Sequence, residues 1–441
     1  MNDYLDQIER QLSELTEQGA HRRLRARRPG FGGARSPGGS PRPPRRGSEA
    51  LAILAAVAVA AAVVAVVVLN IGTGSPRRSS ASAPTASSAS GTTATGNTQS
   101  QPAPTVSTTT SSSTPSAYLQ GPFHPQSFTA ISELTWWLLG SGACPAGESG
   151  PCATILRTTD GGPTFKAISA PAAPLAGSDT SSAGYSQIRF ADANDGYAYG
   201  PDLYATHDGG ASWQQVSLGG RISDLEISAG EAYAVVTNGA GNSGRLERSP
   251  VGQDQWAALP AAGEVSGGLW VLGREVLVQS GSDGPGTKLL VSLDGGSTFI
   301  AHPAPSPGLP CDFQTALPPI IWAHCATGTE SGVWRSTDDG ASFTPVPPRS
   351  ELSLRLPNSA VLAAASGTTA VVGYNQLYRT ADAGATWTPV GAPGIAQWTY
   401  LGFSDPTHGV ALGYVGQVAP ANARLYYTTD AGQSYHLVPL P

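Results

Sequence analysis

One eight-residue pattern occurs six times between residues 158 and 435: "TTDGGPTF" (158–165), "THDGGASW" (206–213), "SLDGGSTF" (292–299), "STDDGASF" (336–343), "TADAGATW" (380–387) and "TTDAGQSY" (428–435). Each copy sets a hydroxyl residue two before an Asp, a Gly two after it, a second hydroxyl four after it and an aromatic five after it. The Asp positions are 160, 208, 294, 338, 382 and 430, so the steps are 48, 86, 44, 44 and 48 residues. The long step is two periods with one worn copy between them. That copy is "SPVGQDQW" (249–256), which keeps Ser249 and Trp256 but has Val251 for the Asp and Gln253 for the Gly. Seven units therefore cover the chain from about residue 122 to its end.

A period of this length, with strand-like content in each unit, predicts an all-β, seven-bladed β-propeller over 122–441. Composition agrees. The chain has 54 Gly, 37 Pro and 13% charged residues, with only two Lys against 23 Arg, which leaves little material for Glu- and Lys-rich helices. The unit around Asp208 divides into "SQIRFAD", "DGYAYGP", "DLYATHD" and "SWQQVSL", four short strands broken at turn residues. The eight-residue box falls at the third turn. There Gly210 can take positive φ, Asp208 can accept amide hydrogen bonds, and Trp213 can cover the hairpin. Turn chemistry accordingly accounts for Asp160, Asp208, Asp294, Asp338, Asp382 and Asp430, and packing for Trp213 and Trp387.

The boxes resemble the Asp-box, or BNR, repeat of sialidases, sortilin ectodomains and photosystem II assembly and stability factors. The resemblance is nearest to the assembly-factor-like group, in which a segment of the form FxDxxxGxAxG precedes each box. "FADANDGYAYG" (190–200) and "FSDPTHGVALG" (403–413) fit that form. The resemblance implies structural boxes on the outer part of the blades, away from the central pocket. "DANDG" is not an EF-hand start, because Leu203 stands where the bidentate Glu belongs.

Ahead of the propeller, residues 50–69 carry no charge and would reach ~30 Å as a helix, so a transmembrane span is expected over 50–71. Residues 20–49 hold nine Arg and one Glu, against Arg77 and Arg78 downstream, which orients the N-terminus inward. The propeller is then extracytoplasmic on a single-pass bacterial membrane protein; the Arg-rich, Ala- and Gly-rich usage is that of a GC-rich genome. Residues 72–121 are rich in Ser, Thr, Pro and Ala and are expected to form a flexible stalk, ~44 residues of which span roughly 35 Å. In the cytoplasmic segment 1–49, Leu5, Ile8, Leu12 and Leu15 form one apolar stripe within residues 3–19. Two readings stand for it: a docking helix for a cytoplasmic partner or a second copy, and a marginal helix with no binding role.

Beyond Ser79 there are 13 basic and 25 acidic residues, a difference of minus twelve that disfavours nucleic acid as a partner. Cys144, Cys152, Cys311 and Cys325 lie on the oxidising side and allow three pairings, of which two local bridges are the simplest. No metal site or cofactor is expected, since no CxxC or neighbouring His accompanies them.

Function is less legible. Sialidases of the resembled family use three Arg for the substrate carboxylate, a Tyr nucleophile with a Glu, and an Asp acid. "GRISD" has Ser223 where the R-I-P motif has Pro, and neither GxSxG nor HExxH occurs. Candidate ligand-face residues are Arg189, Arg221, Arg274, Arg355 and Arg424, with Trp136, Trp322 and Trp398; the bland readings are scattered surface arginines and inter-blade core. The leading expectation is a non-enzymatic binding or assembly scaffold for a protein or glycan on the propeller face. A sialidase-like glycoside hydrolase is the alternative.

Overall fold

A computed structural model describes residues 106–107 and 122–441, except 145–150, 177–182, 239–242, 281–286, 307–308, 310, 328–330, 347–355 and 392–393. The segment 1–49 expected in the cytoplasm, the expected span 50–71 and all but two residues of the expected stalk lie outside the described residues. No helix among those described is long and apolar enough to cross a membrane.

Seven antiparallel sheets follow one another along the chain, each with four strands in sequence order, from His124–Ala130 at the inner edge of blade one to His436–Leu437 at the outer edge of blade seven. The architecture is a seven-bladed β-propeller. Blade two gains a fifth, outermost strand, Val106–Ser107, paired with Gln215 and Val216. These two residues belong to the segment read as stalk.

The box residues explain their own spacing. In the copy around Asp382, the Thr380 hydroxyl donates to Oδ1 (2.9 Å) and accepts from the Gly384 N–H (2.9 Å), while Thr386 donates its N–H to Oδ1 (2.8 Å) and its hydroxyl to Oδ2 (2.6 Å). The same four bonds recur around Asp160, Asp208, Asp294, Asp338 and Asp430. One carboxylate thus satisfies the orphan donors of a tight hairpin. The Gly two after the Asp is needed because φ there is positive, +87° at both Gly210 and Gly384. The residue in between donates its N–H to the first turn of the same blade, as Gly161 does to Leu134 O and Ala383 to Thr368 O.

The apolar core is divided into seven slabs, one between each pair of adjoining blades. Box aromatics belong to these slabs: Trp213 reaches back to blade one and donates Nε1–H to Ser169 O (2.9 Å), and Trp387 meets Trp322 of blade five edge to face. Between blades seven and one no strand is exchanged. Closure there rests on Phe123, Trp136, Leu138, Leu412, Leu425 and Val438, with a backbone bond from Phe123 N–H to Pro441 O (3.1 Å) and the His408–Glu133 pair (3.3 Å). Cys144 is bonded to Cys152 within blade one, and Cys311 to Cys325 across the first two strands of blade five.

Candidate functional site

Along each inner strand one set of side chains enters an inter-blade slab and the alternate set faces the axis. In "RISDLEIS" (221–228), Leu225 is buried while Asp224, Glu226 and Ser228 turn to the channel side; in "CDFQT" (311–315), Cys311 and Phe313 are buried and Asp312 and Gln314 are half-buried. All seven inner strands contribute to one cavity of about 910 Å³. It reaches the seam between blades seven and one at the end of the ring that carries the boxes, where Glu133, Leu134, His408 and Thr429 line it. A smaller cavity of about 200 Å³ lies at the same seam, sharing Phe128, Thr399 and Tyr400 with the first.

The free edges of the inner strands are joined across blades by side chains. Ser127 Oγ accepts from Ile188 N–H (3.1 Å), Thr129 Oγ1 from Phe190 N–H (3.3 Å), Asp224 Oδ2 from Leu269 N–H (2.9 Å) and Ser228 Oγ from Gly273 N–H (2.7 Å). Trp270 Nε1–H donates to Asp312 Oδ1 (3.2 Å). Arg189 donates Nε–H and Nη2–H to Glu226 Oε1 (3.2 and 2.9 Å) and its guanidinium lies 5.9 Å from the Tyr199 ring.

The cavity is acidic. Glu133, Asp160, Asp224, Glu226 and Asp312 line it against Arg189 and His408. Burial works against the charge of Arg189, but Glu226 outweighs it and holds the guanidinium above its ordinary value. Burial, with Glu226 adding to it, lifts the Asp224 carboxyl to about 7 against the N–H of Leu269. Burial likewise lifts Asp312 to about 7, opposed by hydrogen bonds from Trp270 and Gln314. At the rim Asp160 goes the other way, held down to about 2 by hydrogen bonds from Thr164 and Thr158. His408 has both ring nitrogens on carboxylates, Nδ1 at 2.8 Å from Asp405 and Nε2 at 3.3 Å from Glu133 across the seam. Among the described residues no group of three or more His, Cys, Asp or Glu is placed to hold a metal ion.

Of the residues expected on a ligand face, the cavity brings together only Arg189 and Trp136. Arg221 begins the inner strand of blade three, at the end away from Ser228. Arg274 is an exposed turn residue donating to Asp294 O, and Arg424 donates to Ala421 O and Ala423 O at the start of a third strand. Arg355 lies outside the described residues. Trp322 and Trp398 are fully buried in slabs, because their strand positions face a neighbouring blade rather than the axis. Asp160 of the first box and Thr428 of the last do reach the cavity, since it spreads over the seam that those two blades flank. The inner-strand acids Asp224, Glu226 and Asp312, with Trp270 and Tyr400, escaped the sequence reading. Their signal was polar alternation in the first strand of a unit.

No family model matches this sequence, and no curated protein matches it. Solved structures do. YCF48 bound to D1 peptide is 20% identical over 71% of this chain and 95% of that one, with a TM-score of 0.49, and YCF48 from Cyanidioschyzon merolae is 17% identical over 71% and 97%, with 0.48. Puromycin hydrolase is 16% identical over 72% of this chain and 55% of that one, with 0.50. At such identities the likeness is one of architecture.

Proposed function

We propose that this protein is a binding scaffold, anchored in a bacterial membrane with its propeller outside, and that the central cavity receives a basic segment of another protein. The carrying observation is the cavity itself: large enough for several side chains, walled by Phe128, Trp136, Trp270 and Tyr400, and lined by five acids of which Glu226 is neutralised by Arg189. Aromatic faces and carboxylates together favour an Arg or Lys side chain. A propeller of this architecture has been solved with a peptide bound, the YCF48 complex.

The sialidase-like alternative needs three arginines converging on one carboxylate. Among the described residues Arg189 is the one arginine that lines the cavity. His408, with both ring nitrogens committed to carboxylates, is no free general base.

Calorimetry on the full chain in detergent, with an Arg- and Leu-containing peptide and its Glu-for-Arg counterpart, tests the reading. At about pH 8, above the raised values of Asp224 and Asp312, the basic peptide should bind, and Asp224→Asn with Asp312→Asn should weaken it by about tenfold or more, as should raised salt. Equal binding of both peptides, or indifference to the double substitution, would refute it. The anchored topology has its own test. Protease added to intact cells should remove the propeller and spare a tag placed before Arg22; digestion of the tag would reverse the orientation.

A further inference from the structure

Blade three lacks the carboxylate that fixes the other six hairpins, and a residue of blade two stands in for it. Val251 occupies the Asp position, Gly252 takes φ +77° and Asp254 takes φ +49°. Asp254 does not close its own turn. Its Oδ2 lies 3.1 Å from Nε2 of His207, at the variable position of the blade-two box, and His207 Nδ1 lies 2.6 Å from Oδ1 of Asp195 in the first turn of blade two. We infer that His207 is a protonation-controlled latch, tying the box-less hairpin of blade three to blade two when both ring nitrogens carry protons and releasing it when one is lost.

The chemistry follows from the partners. Ionised carboxylate oxygens only accept, so the two contacts coexist only with the imidazolium. The neutral ring keeps one N–H. Asp195, in the same blade and at the shorter distance, retains it, and the bare Nε2 lone pair then faces Asp254. The other groups near the ring are the buried Tyr197, whose ring meets Trp256 of blade three at 5.9 Å, and Asp208, already engaged by Thr206 and Ser212. Arg157 of blade one approaches the adjacent Gly209. At 37% side-chain exposure His207 exchanges its proton with solvent. Burial lowers its pKa, but the hydrogen bonds to Asp195 and Asp254 outweigh this and raise it above 6.5. The sign is that of a raised base: the latch contributes fully below the ordinary imidazole value and is lost as pH rises through the raised one.

Amide exchange on the full chain, comparing hairpin 250–258 with the intact hairpin 380–388 in the same sample, reads the latch without interference from the intrinsic pH dependence of exchange. Protection of the blade-three hairpin relative to blade six should fall by about tenfold between about pH 6 and about pH 9, and His207→Gln should abolish that pH dependence and leave the hairpin open throughout. A ratio unchanged with pH, or one that still changes in His207→Gln, would overturn the latch. Nitrogen chemical shifts of the His207 ring in the unsubstituted protein give a second readout. A doubly protonated ring that becomes the Nδ1–H tautomer supports it, and retention of Nε2–H refutes it.

Discussion

Trp137→Ala should destabilise the propeller by about 3 to 5 kcal/mol. The indole is fully buried in blade one, stacked on Phe190 of blade two at 4.1 Å with the planes 3° apart, and the Arg157 guanidinium sits 5.0 Å from its ring. Truncation leaves a cavity in the slab that joins two blades, and it uncovers Arg157 as well. Trp137→Phe tells packing from hydrogen bonding. The indole N–H has no partner, so the Phe variant keeps the stack, loses an unsatisfied donor and should cost under about 1.5 kcal/mol. Thermal melting monitored by near-ultraviolet circular dichroism measures both. An Ala variant that melts with the unsubstituted protein would mean that the slab between blades one and two does not limit cooperative unfolding.

The second large effect is on pH dependence. Glu275, at the start of the second strand of blade four, is 2% exposed and neither carboxylate oxygen has a partner. Burial, with Asp339 adding to it, pushes the group up to about 8. The folded protein therefore holds a proton that the unfolded chain releases near 4.5, and stability falls as pH rises between those values, with a limiting slope of about 1.4 kcal/mol per pH unit. Asp224 and Asp312 act in the same direction, opposed by the hydrogen bonds they accept. Asp160 and Asp294, held at about 2 by their turn hydrogen bonds, act oppositely: their contribution is present above 3.8 and is lost as pH falls through about 2. The melting temperature should accordingly peak in mild acid. Glu275→Leu should flatten the alkaline limb and raise stability at about pH 8 by ~2 to 4 kcal/mol. An alkaline limb equally steep in the Leu variant would exclude Glu275 as its source.

What the sequence determined by itself is what lies within a few residues of itself. A box needs a hydroxyl, a carboxylate, a glycine and a second hydroxyl within seven positions, so all four of its hydrogen bonds are written in contiguous text, and six repeats at a steady period imply a closed ring of blades. The same locality made the seventh, worn unit visible, and it made the Cys144–Cys152 and Cys311–Cys325 bridges the simplest pairings. Arg189 meets Glu226 across 37 residues, Trp270 meets Asp312 across 42, and His207 meets Asp254 across 47. Nothing local marks such a partner. Strand alternation shows that one set of residues leaves the slab, but only the closed ring decides that the free set converges on one axis. For the same reason Trp322 and Trp398, which the chain leaves open between binding aromatics and inter-blade core, are core in the fold, whereas Asp224 and Asp312, which nothing local singles out, line the cavity. Their burial, and with it the upward shift of their carboxyls, is a property of seven inner strands meeting, which no single unit contains.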